Sequence, residues 1–187
     1  EIEMTRNDVI NIANELTGDE GHNKILKIYN SQKNLPRGYV VRINDPWCAT
    51  FVSAVLTMAG YDKINECSCN EMTKKAKLLG IFKPTGNIEI GDVILYDWQN
   101  DGTPDHVGIV IEKTDNEIIV REGNKSGTIG NRKLTYNNVN IFGTIKIPYN
   151  DAPDFETRKA RLIEFIDNMD WSKVTKNDII KAIKEGL

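Results

Sequence analysis

The spacing of apolar residues changes near the middle of this chain, and the change limits the folds open to it. Up to about residue 80, apolar residues recur every three or four positions, as at Val9, Ala13 and Leu16, which is typical of amphipathic helices. From Ile90 onward, short runs rich in β-branched residues are separated by Gly, Asn and Asp, which predicts strands joined by turns. Because helices come first and strands follow, the order predicts an α+β fold in which an antiparallel sheet packs on the early helices.

Local signals give approximate bounds for these elements. The first helix is expected to run from the cap sequence Thr5-Arg6-Asn7-Asp8 to Gly18, because Thr5 and Asp8 resemble a capping box. Further helices are expected at about 22–32, 47–60 and 70–79, and strands at 92–98, 107–113, 117–122 and 141–147. His22 would then lie near the start of the second helix, where a solvated polar residue or a helix cap is expected.

Composition and charge exclude several classes of protein. The 187 residues are 40% hydrophobic and 27% charged, with a formal net charge of -3, which is ordinary for one soluble domain with a sizeable core. Basic residues form no long cluster and no apolar run approaches the length of a membrane span, so neither a nucleic acid partner nor membrane insertion is expected. The sequence opens without a leader-like segment and starts at Glu1 rather than Met, so a processed or trimmed chain is expected.

The segment from Pro148 to Pro153 predicts a domain boundary. It would separate a main domain of residues 1–148 from an extension of residues 149–187. In the extension we expect two helices, at 155–169 and 175–185, the second with a Thr-Lys-Asn-Asp cap. Two such helices bury too little surface to fold alone, so they are expected to pack on the main domain or on a partner.

Cys48 is the first candidate for chemistry. Pro46 disfavours helix at Asp45, so a helix is expected to begin at about Trp47 or Cys48. A cysteine in the first turn of a helix lies near unpaired backbone N–H groups and the positive end of the helix dipole. Both favour the thiolate, which is the nucleophilic form. The alternative is a small buried core cysteine, and a matching base further along the chain would favour the nucleophile.

The other two cysteines, Cys67 and Cys69, are expected to be core or loop residues. An odd total of three cysteines argues against a complete disulfide framework. Cys67 and Cys69 are too close in sequence for an unstrained mutual disulfide, and His22 and His106 supply no partner pair with zinc-ligand spacing. No cofactor is expected.

His106 is the candidate base. It stands at the start of a predicted strand, where its imidazole can project at the sheet edge. On the next strand, alternation places Val120, Glu122 and Asn124 on one face. A carboxylate on an apolar face is costly to bury without a partner, and an imidazole on the neighbouring strand would supply one. A cysteine, a base and an orienting polar group are the parts of a cysteine protease or amidase. The alternatives are that His106 caps a strand and that Glu122 is a solvated edge residue.

Four segments together resemble the CHAP domain, the cysteine, histidine-dependent amidohydrolase/peptidase family of the papain-like and NlpC-type superfamily. They read DPWCATFV at 45–52, GDVI at 91–94, DHVGIV at 105–110 and EGN at 122–124. Their order and separations are more specific than any single segment, and the resemblance covers about residues 5–148. It implies a papain-like α+β fold, with residues 1–148 as a CHAP-like catalytic domain.

The resemblance also implies a reaction, the hydrolysis of an amide bond in bacterial peptidoglycan, as in phage endolysins and bacterial cell-wall hydrolases. Carried over by position, Cys48 would be the nucleophile and His106 the general base and then acid. Glu122 would orient the imidazole, and Asn124 would be a fourth polar residue of the site. The reaction would pass through a cysteine thioester, with the Cys48 backbone N–H in the oxyanion hole. A stem-peptide or cross-bridge endopeptidase and an N-acetylmuramoyl-L-alanine amidase both fit.

An acidic loop and two tryptophans are weaker candidates. The loop 97–105 has acidic or amide oxygens at alternate positions, with Gln99 between Asp97 and Asp101 and with Asp105 further on, and glycine is sixth, like the first half of a calcium site. The third position lacks Asp or Asn and the twelfth lacks Glu, so a polar hairpin loop is favoured over calcium. Trp47 and Trp98 are candidates for substrate contact, although Trp98 would equally fit beneath the loop.

Other functions remain open at this point. A non-catalytic wall-binding or scaffold module that keeps the fold is the main alternative, and a papain-like enzyme acting on ordinary protein is another. A degenerate module would be expected to have lost Cys48 or His106, and both are present. Peptidoglycan is the expected partner, and the expected location is outside the cell or in the cell wall, by secretion or phage release. The oligomeric state is left open.

Overall fold

The computed structural model describes residues 4–84, 86–151, 159–160, 163–164, 166–167 and 175–184. The chain divides into two compact units, Glu1–Asn150 and Asp151–Leu187. Within the described residues, the first unit contains α-helices followed by a six-stranded sheet.

The helices of the first unit occupy its first half, as the sequence predicts. They are α1 (Arg6–Glu15), α2 (Gly18–Asn30), α3 (Cys48–Met58) and α4 (Cys69–Leu78). The capping box at α1 is confirmed, because the Thr5 hydroxyl accepts from the Asp8 backbone N–H while the Asp8 carboxylate accepts from the Thr5 N–H. Helix α2 begins earlier than expected, so His22 lies inside the helix and not at its start.

The sheet is antiparallel throughout. Its strands are β1 (Phe82–Lys83), β2 (Val93–Tyr96), β3 (His106–Lys113), β4 (Glu117–Lys125), β5 (Thr128–Thr135) and β6 (Ile141–Ile145). They are ordered β1-β6-β2-β3-β4-β5, and each neighbouring pair runs antiparallel. The predicted α+β fold is therefore confirmed, and it is consistent with a papain-like CHAP domain.

Strands β1 and β5 are absent from the sequence prediction. Strand β1 has only two residues, which is too short for any periodic pattern to show. In β5, Ile129 and Leu134 are buried but most of the intervening side chains are polar or absent, so the strand lacks a run of β-branched residues. Its pairing with β4 along most of its length, and not local propensity, makes it a strand.

Helix α3 is the centre of the core. Every residue from Cys48 to Leu56 is buried, and the helix packs against α2, β3 and β4. Strand β2 alternates as a buried strand should: Val93 and Leu95 join the cluster that contains the helices, whereas Ile94 and Tyr96 join a second cluster. Because α3 lies within the core, the position of its first residue, Cys48, is fixed by packing.

The second unit is described in part. Residues 159–160, 163–164 and 166–167 are helical, and a further helix, α5, spans Lys176–Lys184. The predicted cap of α5 is confirmed, since the Asp178 carboxylate accepts from the Thr175 N–H at 2.8 Å and the Asp178 N–H donates to the Thr175 hydroxyl. The helix predicted at 155–169 falls largely outside the described residues. None of the helices described is both long and apolar enough to span a membrane.

Candidate active site

Cys48 is the first residue of α3 and is 7% exposed. Its N–H is among the backbone donors of a first turn that have no intrahelical acceptor. The Ala49 backbone N–H donates to the Cys48 sulfur, as expected at a helix start. The helix boundary therefore lies where Pro46 predicts it, with the sulfur in an environment that favours negative charge.

His106 is the first residue of β3 and lies beside Cys48. It pairs with Tyr96 on β2, and the two rings stack with centroids 5.7 Å apart. The His106 Nε2 atom is 3.0 Å from the Glu122 Oε2 atom. Because Glu122 engages Nε2, Nδ1 is the ring nitrogen left to interact with the Cys48 sulfur.

The Glu122 carboxylate is fully buried and is paired with both His106 and Arg132. Besides His106, it accepts from Arg132, whose Nε lies 2.7 Å from Oε1 and whose Nη2 lies 3.0 Å from Oε2. Burial raises the pKa of Glu122, but the hydrogen bonds from His106 and Arg132 outweigh burial and leave the pKa lowered. The carboxylate is therefore held charged and in a fixed orientation. Sequence reasoning misses Arg132, because it lies on the unpredicted strand β5.

The pKa values of Cys48 and His106 are shifted in the directions that favour an ion pair between them. Hydrogen bonding from Cys69, together with the charge of His106, outweighs burial and lowers the pKa of Cys48 to about 5. Burial alone would lower the pKa of His106, but the interactions with Cys48 and Glu122 raise it to about 9. Between these values the dominant form is a thiolate beside an imidazolium, which is the reactive state of a cysteine nucleophile with its acid in place.

Cys69 is a second cysteine at the site that sequence reasoning assigns to the core or a loop. It is the first residue of α4 and is 7% exposed, and its Sγ lies 3.7 Å from the Cys48 Sγ. The core assignment is right about burial, but it misses the contact with Cys48. One local signal was available, because Ser68 caps α4 by accepting from Glu71 N–H and so places Cys69, like Cys48, at a helix start.

Two glycines let the elements of the site approach each other. A Cβ built on Gly123 would lie 2.4 Å from the Cβ of Phe51 and 2.8 Å from the Trp47 ring, so a side chain there would push β4 away from α3. A Cβ on Gly108 would lie 2.8 Å from the Glu122 Cγ. Both glycines belong to the segments that carry the family resemblance, and both are needed for close packing around the carboxylate.

Asn124 lies apart from this set of contacts. The pairing of β4 with β5 shifts register between Glu122 and Lys125, and Asn124 has a positive φ of 56°. The alternation expected along β4 therefore does not extend past Glu122. Among the hydrogen bonds described for these residues, none joins Asn124 to His106, and Asn124 instead lines a cleft beside Trp47. Its role in the site stays a prediction.

The cleft beside Trp47 has a volume of about 640 Å³. Trp47 itself is only 3% exposed, and its ring stacks on His22 at 3.9 Å with an interplanar angle of 14°. His22 is half-buried, and burial lowers its pKa, so the expectation of a solvated residue or cap is wrong. Asp19 and Asp45 also line the cleft, whereas none of its described lining residues is Lys or Arg. The cleft therefore favours a polar or cationic group.

Trp98 lies next to His106. Its ring is 4.7 Å from that of Tyr96 and nearly parallel to it, and 6.4 Å from the His106 ring. The Arg132 guanidinium lies 4.9 Å from the Trp98 ring centroid. With 36% of its surface exposed, Trp98 is placed where a molecule approaching His106 could contact it. Its part in substrate binding, like that of Trp47, stays a prediction.

The acidic loop uses its carboxylates internally. Asp97 accepts from the backbone N–H groups of Asp101 and Gly102, at 3.2 and 2.7 Å, and Asp105 accepts from that of Trp98 at 2.8 Å. These bonds are typical of a polar hairpin loop. Over the described part of the chain, no group of three or more His, Cys, Asp and Glu side chains is arranged to hold a metal ion.

A known protein family matches the part of the chain that contains most of these site residues. The model of the CHAP domain matches residues 40–124, a range that contains Cys48, His106 and Glu122 and stops short of Arg132. No curated protein matches the chain. CHAP domains are generally amidohydrolases or peptidases, and the domain implies peptidoglycan-related amidase or peptidase activity in general. The match over residues 40–124 therefore supports the resemblance to the CHAP domain, and the α+β fold is consistent with it.

Proposed function

We propose that this chain is a cysteine-dependent hydrolase that cleaves an amide bond of bacterial peptidoglycan through a thioester. The observation that carries the proposal is the contact series at the start of α3. Cys48 lies at a helix N-terminus beside His106, and the His106 Nε2 is 3.0 Å from the buried carboxylate of Glu122. The CHAP match supports the substrate class.

In the first half of the reaction, the Cys48 thiolate attacks the carbonyl carbon of the amide. The negative charge moves to the carbonyl oxygen, and the Cys48 backbone N–H at the start of α3 donates to it. The C–N bond then breaks as the His106 imidazolium gives its proton to the leaving nitrogen. The amine departs, and the acyl group remains on the Cys48 sulfur as a thioester.

In the second half, water replaces the amine. Neutral His106 takes a proton from the water, and the resulting hydroxide attacks the thioester carbonyl. The C–S bond breaks, the new carboxyl group leaves, and Cys48 returns to the thiolate beside the His106 imidazolium. After each cycle Cys48 and His106 are back in their starting protonation states, and one water has been consumed for each amide bond cleaved.

Glu122 and Arg132 maintain the geometry of the base. Glu122 accepts at Nε2 of His106, which directs Nδ1 toward Cys48 and stabilises the imidazolium. Arg132 binds both oxygens of Glu122 in a forked arrangement and so fixes the plane of the carboxylate. Arg132 acts through Glu122 and is a positioning residue.

Peptidoglycan lies outside the cytoplasmic membrane, so we place the action of this chain in the cell wall, after secretion or phage release. Two bonds fit the chemistry: one within a stem peptide or cross-bridge, and the one between N-acetylmuramic acid and L-alanine. The polar cleft that contains Trp47 and Asn124 lies along the same segment as Cys48, and it supports an extended, polar substrate.

The test is turnover of purified bacterial cell walls by wild type and by His106→Ala, with new amino groups and fragment masses followed together. We expect wild type to release fragments and His106→Ala to release almost none. Fragments with a free stem-peptide N-terminus on L-alanine would identify an amidase, and internal peptide cleavage an endopeptidase. Sedimentation of the folded protein with intact walls, without any release of fragments, would instead support a binding module.

A further inference from the structure

The contact between Cys48 and Cys69 joins two helix starts. Cys48 begins α3 and Cys69 begins α4, and their sulfur atoms are 3.7 Å apart in a buried environment. At this distance one sulfur can donate its proton to the other. The charges around each sulfur determine which of the two keeps the proton.

The surroundings of the two sulfurs differ in charge. Cys48 lies beside the His106 imidazole and accepts from the Ala49 backbone N–H, and both stabilise negative charge on its sulfur. Cys69 is buried, and the nearby Asp105 carboxylate opposes negative charge on it. Its own backbone N–H favours negative charge on the Cys69 sulfur, but the interactions described for it include no cationic side chain, whereas Cys48 has His106. The proton therefore stays on Cys69, and the negative charge lies on Cys48.

We propose that Cys69 is a positioning residue for Cys48, whose sulfur it holds as a thiolate by donating its own S–H to it. A hydrogen bond to a charged acceptor is stronger than one to a neutral acceptor, so a weak thiol donor becomes effective here. The inference rests on the proposed nucleophilic role of Cys48 for its catalytic meaning, but the state of the sulfur can be measured without any substrate.

The start of α4 fixes the donor. Ser68 caps the helix by accepting from the Glu71 N–H, and the Thr73 hydroxyl donates to the Cys69 carbonyl at 2.8 Å. Cys67, two residues earlier, instead accepts from Arg37 at 3.3 Å. Cys67 therefore offers a matched control, since it is a thiol in the same segment with a different partner.

The test measures the rate at which iodoacetamide alkylates Cys48 across pH in the intact chain, with the labelled peptide quantified by mass spectrometry. For wild type we expect a midpoint at about pH 5. In Cys69→Ala the midpoint should rise by about one pH unit or more, because the donor is lost. Cys69→Ser should fall between the two, since a hydroxyl can still donate, and Cys67→Ala should match wild type.

A folded Cys69→Ala protein with the wild-type midpoint would overturn the proposal, and so would an equal rise in Cys67→Ala. If Cys69→Ala does not fold, the NMR chemical shifts of the Cβ atoms of both cysteines in the unmodified chain show which sulfur carries the proton. The proposal requires a Cys48 thiolate and a Cys69 thiol at neutral pH, and two thiols or the reverse assignment would contradict it. Because alkylation needs no turnover, these results stand apart from whether the chain cleaves peptidoglycan.

Discussion

At the scale of single residues, the proposed mechanism makes the pH dependence of activity depend on Cys48 and His106. The pKa of Cys48 is lowered to about 5, so the thiolate is protonated below that pH. The pKa of His106 is raised to about 9, so the imidazolium loses its proton above that pH and can no longer act as the acid. We therefore expect a bell-shaped profile of kcat/KM with limbs near these two values. A profile with a single limb would contradict the ion-pair description.

Glu122→Gln offers a sharper form of the same measurement. The Glu122 carboxylate raises the pKa of His106 through its charge and hydrogen bond. Glutamine keeps the size of the side chain but not the charge, so the alkaline limb should move toward neutral pH by about one unit. The limb assigned to Cys48 should move much less. An alkaline limb that stays in place would show that another group sets it.

Arg132 is the second residue whose replacement should affect the buried carboxylate. Arg132→Met removes the charge at similar length and takes away both of the hydrogen bonds that Arg132 donates to Glu122. We expect the free energy of unfolding to fall by about 1–3 kcal/mol, together with a lower kcat. Arg132→Lys should recover only part of the stability and part of kcat, because an ammonium cannot bind both oxygens of Glu122 in the forked arrangement. Urea unfolding and steady-state kinetics measure the two effects, and no change in either would refute the role.

The sequence makes part of this site predictable. Cys48 and His106 are predictable because a proline, a helix start and a strand start are local features, and the buried position of Glu122 follows from strand alternation. Arg132 and the contact made by Cys69 are not predictable in this way. They reach the site through strand pairing and helix packing, which bring together residues far apart in the chain.

At the scale of secondary structure elements, the site depends on the close approach of β4 to α3. Gly123→Ala would place a methyl group 2.4 Å from the Phe51 Cβ, and such overpacking costs about 1–3 kcal/mol of stability. Because β4 carries Glu122, activity should fall further than the loss of stability alone explains. Thermal unfolding and wall turnover measured at a temperature where the variant is folded separate the two effects.

Gly130→Ala is the matched control on the neighbouring strand β5. A Cβ there meets only the flexible Lys125 side chain, with the nearest atom at 3.2 Å. We expect near wild-type stability and activity. Equal losses in Gly123→Ala and Gly130→Ala would mean that glycine matters at these positions for reasons other than the packing of β4 on α3.

The elements themselves differ in how far local sequence determines them. Capping residues fix the start of α1 and of α5, so both caps are predictable from short motifs. Strand β5 is not, because its buried positions are few and its pairing with β4 supplies what its sequence lacks. This strand, which the sequence does not predict, supplies Arg132 to the site.

At the scale of the whole molecule, the proposed catalytic residues all lie in the unit Glu1–Asn150. The last residues of this unit are bonded to its interior and to its beginning. The Tyr149 hydroxyl donates to the Gly91 carbonyl at 2.6 Å, and the Asn150 N–H donates to the Met4 carbonyl at 2.9 Å. A chain ending at Asn150 should therefore fold and keep most of its activity on a soluble peptidoglycan fragment.

A chain ending at Pro148 is the control for that truncation. It lacks the Tyr149 and Asn150 bonds and should unfold at a lower temperature than the chain ending at Asn150. Melting by circular dichroism and turnover of the same fragment compare the two. Loss of folding in both chains would show that residues 151–187 are required for the stability of the first unit.

The central claim is that Cys48 is the nucleophile of a peptidoglycan hydrolase, and one comparison tests it most directly. The rate of amide cleavage in purified cell walls is measured for wild type, Cys48→Ala and Cys67→Ala, with each variant shown to be folded. We expect Cys48→Ala to lose activity by about a thousandfold or more and Cys67→Ala to cleave at nearly the wild-type rate. Cleavage by Cys48→Ala at the wild-type rate would contradict the account, as would folded wild type that releases nothing from any wall.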